Sequence, residues 1–176
     1  MTPQEEQLFK DQFVDHHPHA RRGLKAATGH VQFYALNLTV MQGNEIRRAW
    51  VNKINEIAER YANSRLFGDY ISDVHELQNY MNHSFPNAFH EGSFTFARAQ
   101  KSLSVVLKFK WCHGDITMPP SCPIDKGILD RLGQPYNTWN WTEISENQFL
   151  SAYIELHRVA TISGNSAAQQ ELLWYH

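Results

Sequence analysis

Hydrophobic residues recur at steps of three and four along most of the chain, the period of an α-helix with one face turned inward. The pattern is clearest over residues 44–62, where Ile46, Ala49, Trp50, Ile54, Ile57, Ala58 and Tyr61 form one stripe. Arg47, Arg48, Lys53, Glu56, Glu59 and Arg60 fill the other faces, as in an amphipathic surface helix. Residues 4–14 carry Leu8, Phe9 and Phe13 at helical spacing, and Pro18 stops that element. Residues 23–40 place Leu24, Ala27, Val31, Tyr34, Ala35 and Leu38 on one stripe and are read as a helix, with Gly29 and the run Val31 to Tyr34 leaving a strand open. Gly68 and Asp69 break the pattern before a helix over 72–83, and Pro86 ends it.

Residues 94–112 contain no internal Gly or Pro, and Phe96, Ala99, Leu103, Val106 and Leu107 keep the helical period. This is read as the central helix. His113, Gly114 and the pair Pro119, Pro120 force an extended stretch, after which Asp125 caps a short helix ending at Leu132 and Gly133. Residues 134–144 form a loop rich in aromatics. Ser145 and Gln148 make a capping box for a helix running to Ser163, Gly164 and Asn165 terminate it, and a last helix ends at Trp174. The expected fold is a mostly α, single compact multi-helix domain over 1–176, with six to eight helices around the one at about 94–112.

Composition agrees with one domain: 176 residues with 42% hydrophobic and 12% aromatic positions suffice for a core without disulfide or metal staples. Cys112 and Cys122 are too few for a disulfide scaffold, and no cofactor is expected. No apolar run approaches the roughly 18 residues of a membrane span, and the start Met-Thr-Pro-Gln-Glu-Glu is unlike a basic, apolar leader. The expectation is a soluble, cytoplasmic protein with no membrane partner. A P-loop, a dinucleotide glycine fingerprint and an exposed-serine elbow are all missing, which disfavours those chemistries.

The block from Gln100-Lys101-Ser102-Leu103 through Lys108-Phe109-Lys110-Trp111-Cys112, followed by Pro119-Pro120-Ser121-Cys122-Pro123-Ile124-Asp125, is similar to a family of small bacterial proteins. In that family a helix ending in an aromatic-Cys pair precedes a Pro-Pro-x-Cys-Pro-hydrophobic-Asp turn. The resemblance covers about residues 96–133, with a weaker match at Trp141-Thr142, and implies no activity. Ile124-Asp125 and Arg131-Leu132-Gly133 also resemble the helix-hairpin-helix DNA glycosylases, where a hydrophobic-Asp turn caps a helix ending in Arg-Leu-Gly. That resemblance implies a DNA partner. The chain departs from the pattern at residues 93–101, which lack both the glycine hairpin and its nucleophilic lysine.

The net charge of −2 excludes strong bulk attraction to nucleic acid, but the charges are unevenly spread. Residues 96–114 hold Arg98, Lys101, Lys108 and Lys110 and no acid, whereas residues 134–176 hold Glu143, Glu146, Glu155 and Glu171 against Arg158. Arg98, Lys101 and Lys108 fall within a narrow arc of one helix, a stripe suited to phosphates, with Arg21, Arg22 and Lys25 as a second patch. The same cations also fit a solvated outer face. The leading functional reading is therefore a nucleic-acid-associated protein contacting phosphate through Arg98, Lys101 and Lys108. The rival is a small-molecule or protein-interaction module, using the aromatic loop Tyr136, Trp139 and Trp141 as a ligand pocket or self-associating through a helix face such as that from Trp50 to Tyr61.

Whether the chain is an enzyme is left open. Asp125 and Asp115 are weak catalytic candidates as an acid-base pair, against the reading of Asp125 as a cap and Asp115 as a turn residue. Cys112 or Cys122 would need a nearby histidine to serve as nucleophile. The cluster His16, His17 and His19 and the trio Cys112, His113 and Cys122 lack the paired short spacings of a zinc site, so no metal is expected.

Overall fold

The computed structural model describes residues 1–16, 34, 35 and 37–175. Residues 23–33 of the expected helix over 23–40, the patch Arg21, Arg22 and Lys25, and the side chains of His16, His17 and His19 lie outside the described residues. Seven α-helices are described: α1 (Pro3–His16), α2 (Val40–Glu59), α3 (Phe67–Ser84), α4 (Phe96–Cys112), α5 (Lys126–Leu132), α6 (Glu146–Ile162) and α7 (Ala167–Tyr175). The fold is mostly α, as the periodicity predicts. Among the described residues the one β-type pairing is an isolated bridge between Tyr34 and Phe89, and no helix is long and apolar enough to cross a membrane.

Caps explain where the boundaries differ from the expected ones. Thr39 accepts from the Gln42 amide while Gln42 returns the bond to the Thr39 amide, so α2 starts four residues before the expected Asn44 and the preceding stretch ends outside a helix. The Asp69 carboxylate accepts from the Leu66 amide at 3.0 Å, so Gly68 and Asp69, expected to break the helix, instead open α3. Ser145 and Gln148 form the expected capping box on α6, and Asp125 accepts from Gly127 and Ile128 at the start of α5. Ser166 and Gln169 make a further box on α7 that the hydrophobic pattern did not signal. At the end of α6, Gly164 takes φ 69°, where a glycine carries no Cβ penalty, and the Asn165 amide closes on the Ala160 carbonyl at 2.8 Å.

Helix α4 is the centre of the molecule, with α1, α2, α3 and α6 packed against it. All of its seventeen residues except Lys101, Val105 and Lys110 are buried. A helix surrounded on nearly every side must satisfy the polar groups it carries inward. Trp50 Nε1 donates to Ser102 Oγ at 3.2 Å, Tyr70 and Ser104 share a hydroxyl bond of 2.6 Å, and Gln100 Nε2 donates to the Ile124 carbonyl at 2.9 Å. The last bond, with that from Tyr153 to the Pro120 carbonyl, fastens the proline-rich stretch across the core.

The apolar interior falls into two regions. The main core spans α2, α3, α4, α5 and α6 and includes Trp50, Leu77, Leu103, Ile124 and Phe149. A smaller cluster of Phe13, Phe109, Trp111, Cys112, Ala168 and Leu172 joins α1 and α7 to the C-terminal turns of α4. Asp73 of α3 is 2% exposed and accepts from Arg60 at 2.7 Å, Tyr61 at 2.9 Å and Arg65 at 3.4 Å. Glu76 accepts both terminal nitrogens of Arg60 at 2.7 Å, and this ion network ties α3 to the end of α2.

Candidate functional site

Because α4 is central, Arg98 and Lys108 meet protein rather than water, and this corrects the expected phosphate-facing stripe at those two positions. Arg98 is 7% exposed and donates to the carbonyls of His90 and Ser93 at 3.3 and 3.1 Å, which holds the segment before α4 in place. Lys108 is 6% exposed and donates to Glu171 of α7 at 2.8 Å. Its ammonium also lies 3.8 Å from the ring centre of Tyr175 and 4.8 Å from that of Phe13. The solvated outer face fails for the same two residues. Lys108 of the cationic stretch 96–114 and Glu171 of the anionic stretch 134–176 pair inside the fold.

Lys101 differs. Its side chain keeps 16% of its exposure, its ammonium sits 3.7 Å from the centre of the Trp141 ring, and Asp125 Oδ2 is 3.4 Å away. Lys108 follows Lys101 by seven positions, so both lie on one face of α4. That face carries two lysines, each with a carboxylate and an aromatic ring. The caps and loops decide who meets whom: Asp125 is placed by its role as cap of α5, and Trp141 by the stretch between α5 and α6.

Four residues singled out in the sequence, Lys101, Lys108, Asp125 and Trp141, are thus brought to one side of the central helix. Arg98 is committed elsewhere, and Asp115 is exposed in the turn after α4. Tyr136 and Trp139 meet edge to face at 5.1 Å and, like Trp141, are half-buried against the main core. Glu171 and Tyr175 are members that the charge pattern did not single out. The available signal was a single acid between Ala167, Ala168 and Leu172, Leu173, where burial of a carboxylate demands a cation partner.

Burial pushes the Glu171 carboxyl above the ordinary carboxylate range, with Lys108 opposing and Asp125 adding to the rise. Burial likewise pushes the Cys112 thiol up to about 12 and the Cys122 thiol well above its usual value. A thiol kept protonated is a poor nucleophile, so neither cysteine is prepared for attack. Among the described residues no group of three His, Cys, Asp or Glu gathers in a way that holds a metal ion.

Comparison with protein-family models, with curated proteins and with solved structures finds nothing that matches this chain.

Proposed function

We propose that the chain is a ligand-binding helical module in which Lys101 meets an anionic small molecule at the corner it shares with Asp125 and Trp141. The observation that supports this is the pairing of Lys101. Of the three cations read from α4, it alone keeps partial exposure, and its ion pair is looser, 3.4 Å against 2.8 Å for Lys108. An ammonium carries three donors, and one carboxylate oxygen with a ring face leaves donors for a ligand. Asp125 beside it disfavours extended polyanions and favours a compact ligand that brings a donor of its own. The nucleic-acid reading retains Lys101 but loses the two neighbours that were to form a phosphate track with it.

The test is a titration of tryptophan fluorescence in the full chain with acetate, citrate, inorganic phosphate, adenosine monophosphate and a short single-stranded DNA. The expected result is a saturable change with at least one small anion, lost in Lys101→Met while the urea midpoint stays in place. Binding of the DNA alone, falling steeply with salt, moves the function to nucleic acid. No saturable response to any of the five overturns the ligand reading.

A further inference from the structure

Lys10, Lys53, Lys108 and Lys126 each close on a carboxylate oxygen at 2.6–2.8 Å, the length of a charge-assisted hydrogen bond. Lys101 and Asp125 Oδ2 stop at 3.4 Å. Both ends of that pair are held by other contacts. Asp125 Oδ1 accepts from the Gly127 amide at 3.0 Å and the Ile128 amide at 3.4 Å. The residue before it is clamped by the fully buried Gln100, whose Nε2 donates to the Ile124 carbonyl at 2.9 Å and whose Oε1 accepts from the Ile124 amide at 3.4 Å. On the other side the stem of Lys101 is mostly covered and its ammonium rests 3.7 Å from the centre of the Trp141 ring. Closing the pair would draw Asp125 off its cap or Lys101 off its ring, so a cation and a carboxylate stay side by side, partly exposed, on a fixed frame.

We propose that the ligand of this corner is a small carboxylic acid with a hydroxyl or an ammonium on the carbon next to its carboxylate, the carboxylate accepting from Lys101 and the neighbouring group donating to Asp125 Oδ2. This inference rests on the ligand reading of Lys101 and names the class of molecule bound there. In such an acid the donor atom and the nearer carboxylate oxygen are about 2.7 Å apart. Two bonds of about 2.8 Å then complete a four-atom ring across the 3.4 Å gap between Lys101 Nζ and Asp125 Oδ2, with donors and acceptors alternating around it. A plain carboxylate sets an anion against Asp125 with nothing donated to it, and a plain amine sets a cation against Lys101, so each lacks half of the match. Citrate, with a hydroxyl beside its central carboxylate, belongs to the class. Because the frame already holds both charges apart, the ligand does not have to break a closed ion pair to enter.

Propionate, lactate and alanine differ only in the group on that carbon and provide the test. Each is titrated into the full chain at constant ionic strength, beside citrate and inorganic phosphate, with tryptophan fluorescence as the readout. The expected result is that lactate or alanine binds at least about tenfold more tightly than propionate, as an added bond to a charged acceptor implies. Lys101→Met should remove the response. Asp125→Asn keeps a good cap but presents an amide in place of the acceptor, and should bring the ratio of lactate or alanine to propionate down to about one. Lactate and alanine binding no better than propionate, or a preference that survives Asp125→Asn, overturns the inference. Should propionate or phosphate then still give a saturable response that Lys101→Met abolishes, the ligand reading of Lys101 stands without it. No saturable response to any of the five overturns both.

Discussion

Replacing Lys108 by Met keeps most of the stem and removes the ammonium, leaving Glu171, 8% exposed, without its cation. At 2.8 Å the two charges attract by about 6 kcal/mol for an effective dielectric near 20. Desolvation of both ions offsets most of that, so the pair adds little net stability, whereas loss of one partner costs about 3–5 kcal/mol. The stranded carboxylate has one escape, which is to take up a proton. Burial already holds it above the ordinary value of 4.5, and the lysine that opposes this rise would be gone. A group whose folded value lies above its unfolded one contributes stability that is fully present below the unfolded value and lost as pH rises through the folded value. The penalty is therefore pH-dependent: about 3–5 kcal/mol near pH 8, equivalent to a fall in Tm of roughly 6–20 °C, and smaller near pH 5. Urea unfolding followed by circular dichroism at both pH values measures it, with Lys108→Met/Glu171→Leu as the companion expected within about 1 kcal/mol of wild type. Equal losses at the two pH values, or a double variant no more stable than the single one, would refute the reasoning and assign the contribution of Lys108 to its ring contacts.

Asp73→Ala removes the acceptor of the Tyr61 hydroxyl and one carboxylate from Arg60 and Arg65, which keep Glu76 and Asp69, and should cost about 1–3 kcal/mol in urea unfolding; a loss below about 0.5 kcal/mol would show that water replaces the carboxylate. The hydrogen bonds from Arg60, joined by Lys53, hold Glu76 down at about 2, so its contribution is present above the ordinary 4.5 and is lost as pH falls toward 2. With the Glu76 side chain 36% exposed, screening reduces this to about 1 kcal/mol, and Glu76→Gln should flatten the acid limb of the stability profile by that amount. Cys112 and Cys122, buried with raised thiols, should resist a disulfide reagent near pH 8 in the native protein and react together in urea; rapid labelling of either one in the native state contradicts the packing.

The helices were legible in the sequence because their causes are local. The stripe on α2, the capping box of Ser145 and Gln148, and the Asp125 cap each depend on residues within a few positions of one another, and each stands where the spacing puts it. The early starts of α2 and α3 were also written locally, in Thr39 with Gln42 and in Asp69, but side-chain caps there outweigh the low helix propensity of Gly43 and Gly68. The absence of Gly and Pro from 94–112 correctly marked the central helix.

What a charged side chain on that helix faces is a different kind of question. Spacing placed Lys101 and Lys108 on one face of α4, and from the sequence alone both read as solvated. Glu171 lies sixty-three residues from Lys108 and meets it only because α7 folds back over α4. Arg98 is internal because the carbonyls of His90 and Ser93 turn toward it, and Lys101 keeps part of its access to water beside Asp125 and Trp141. Period and capping are properties of a few consecutive residues, so the sequence by itself determined the elements and the face each charge occupies; the partner of each charge is set by contacts between distant segments, and only the tertiary structure decided which cations are buried against protein groups and which one keeps partial access to water.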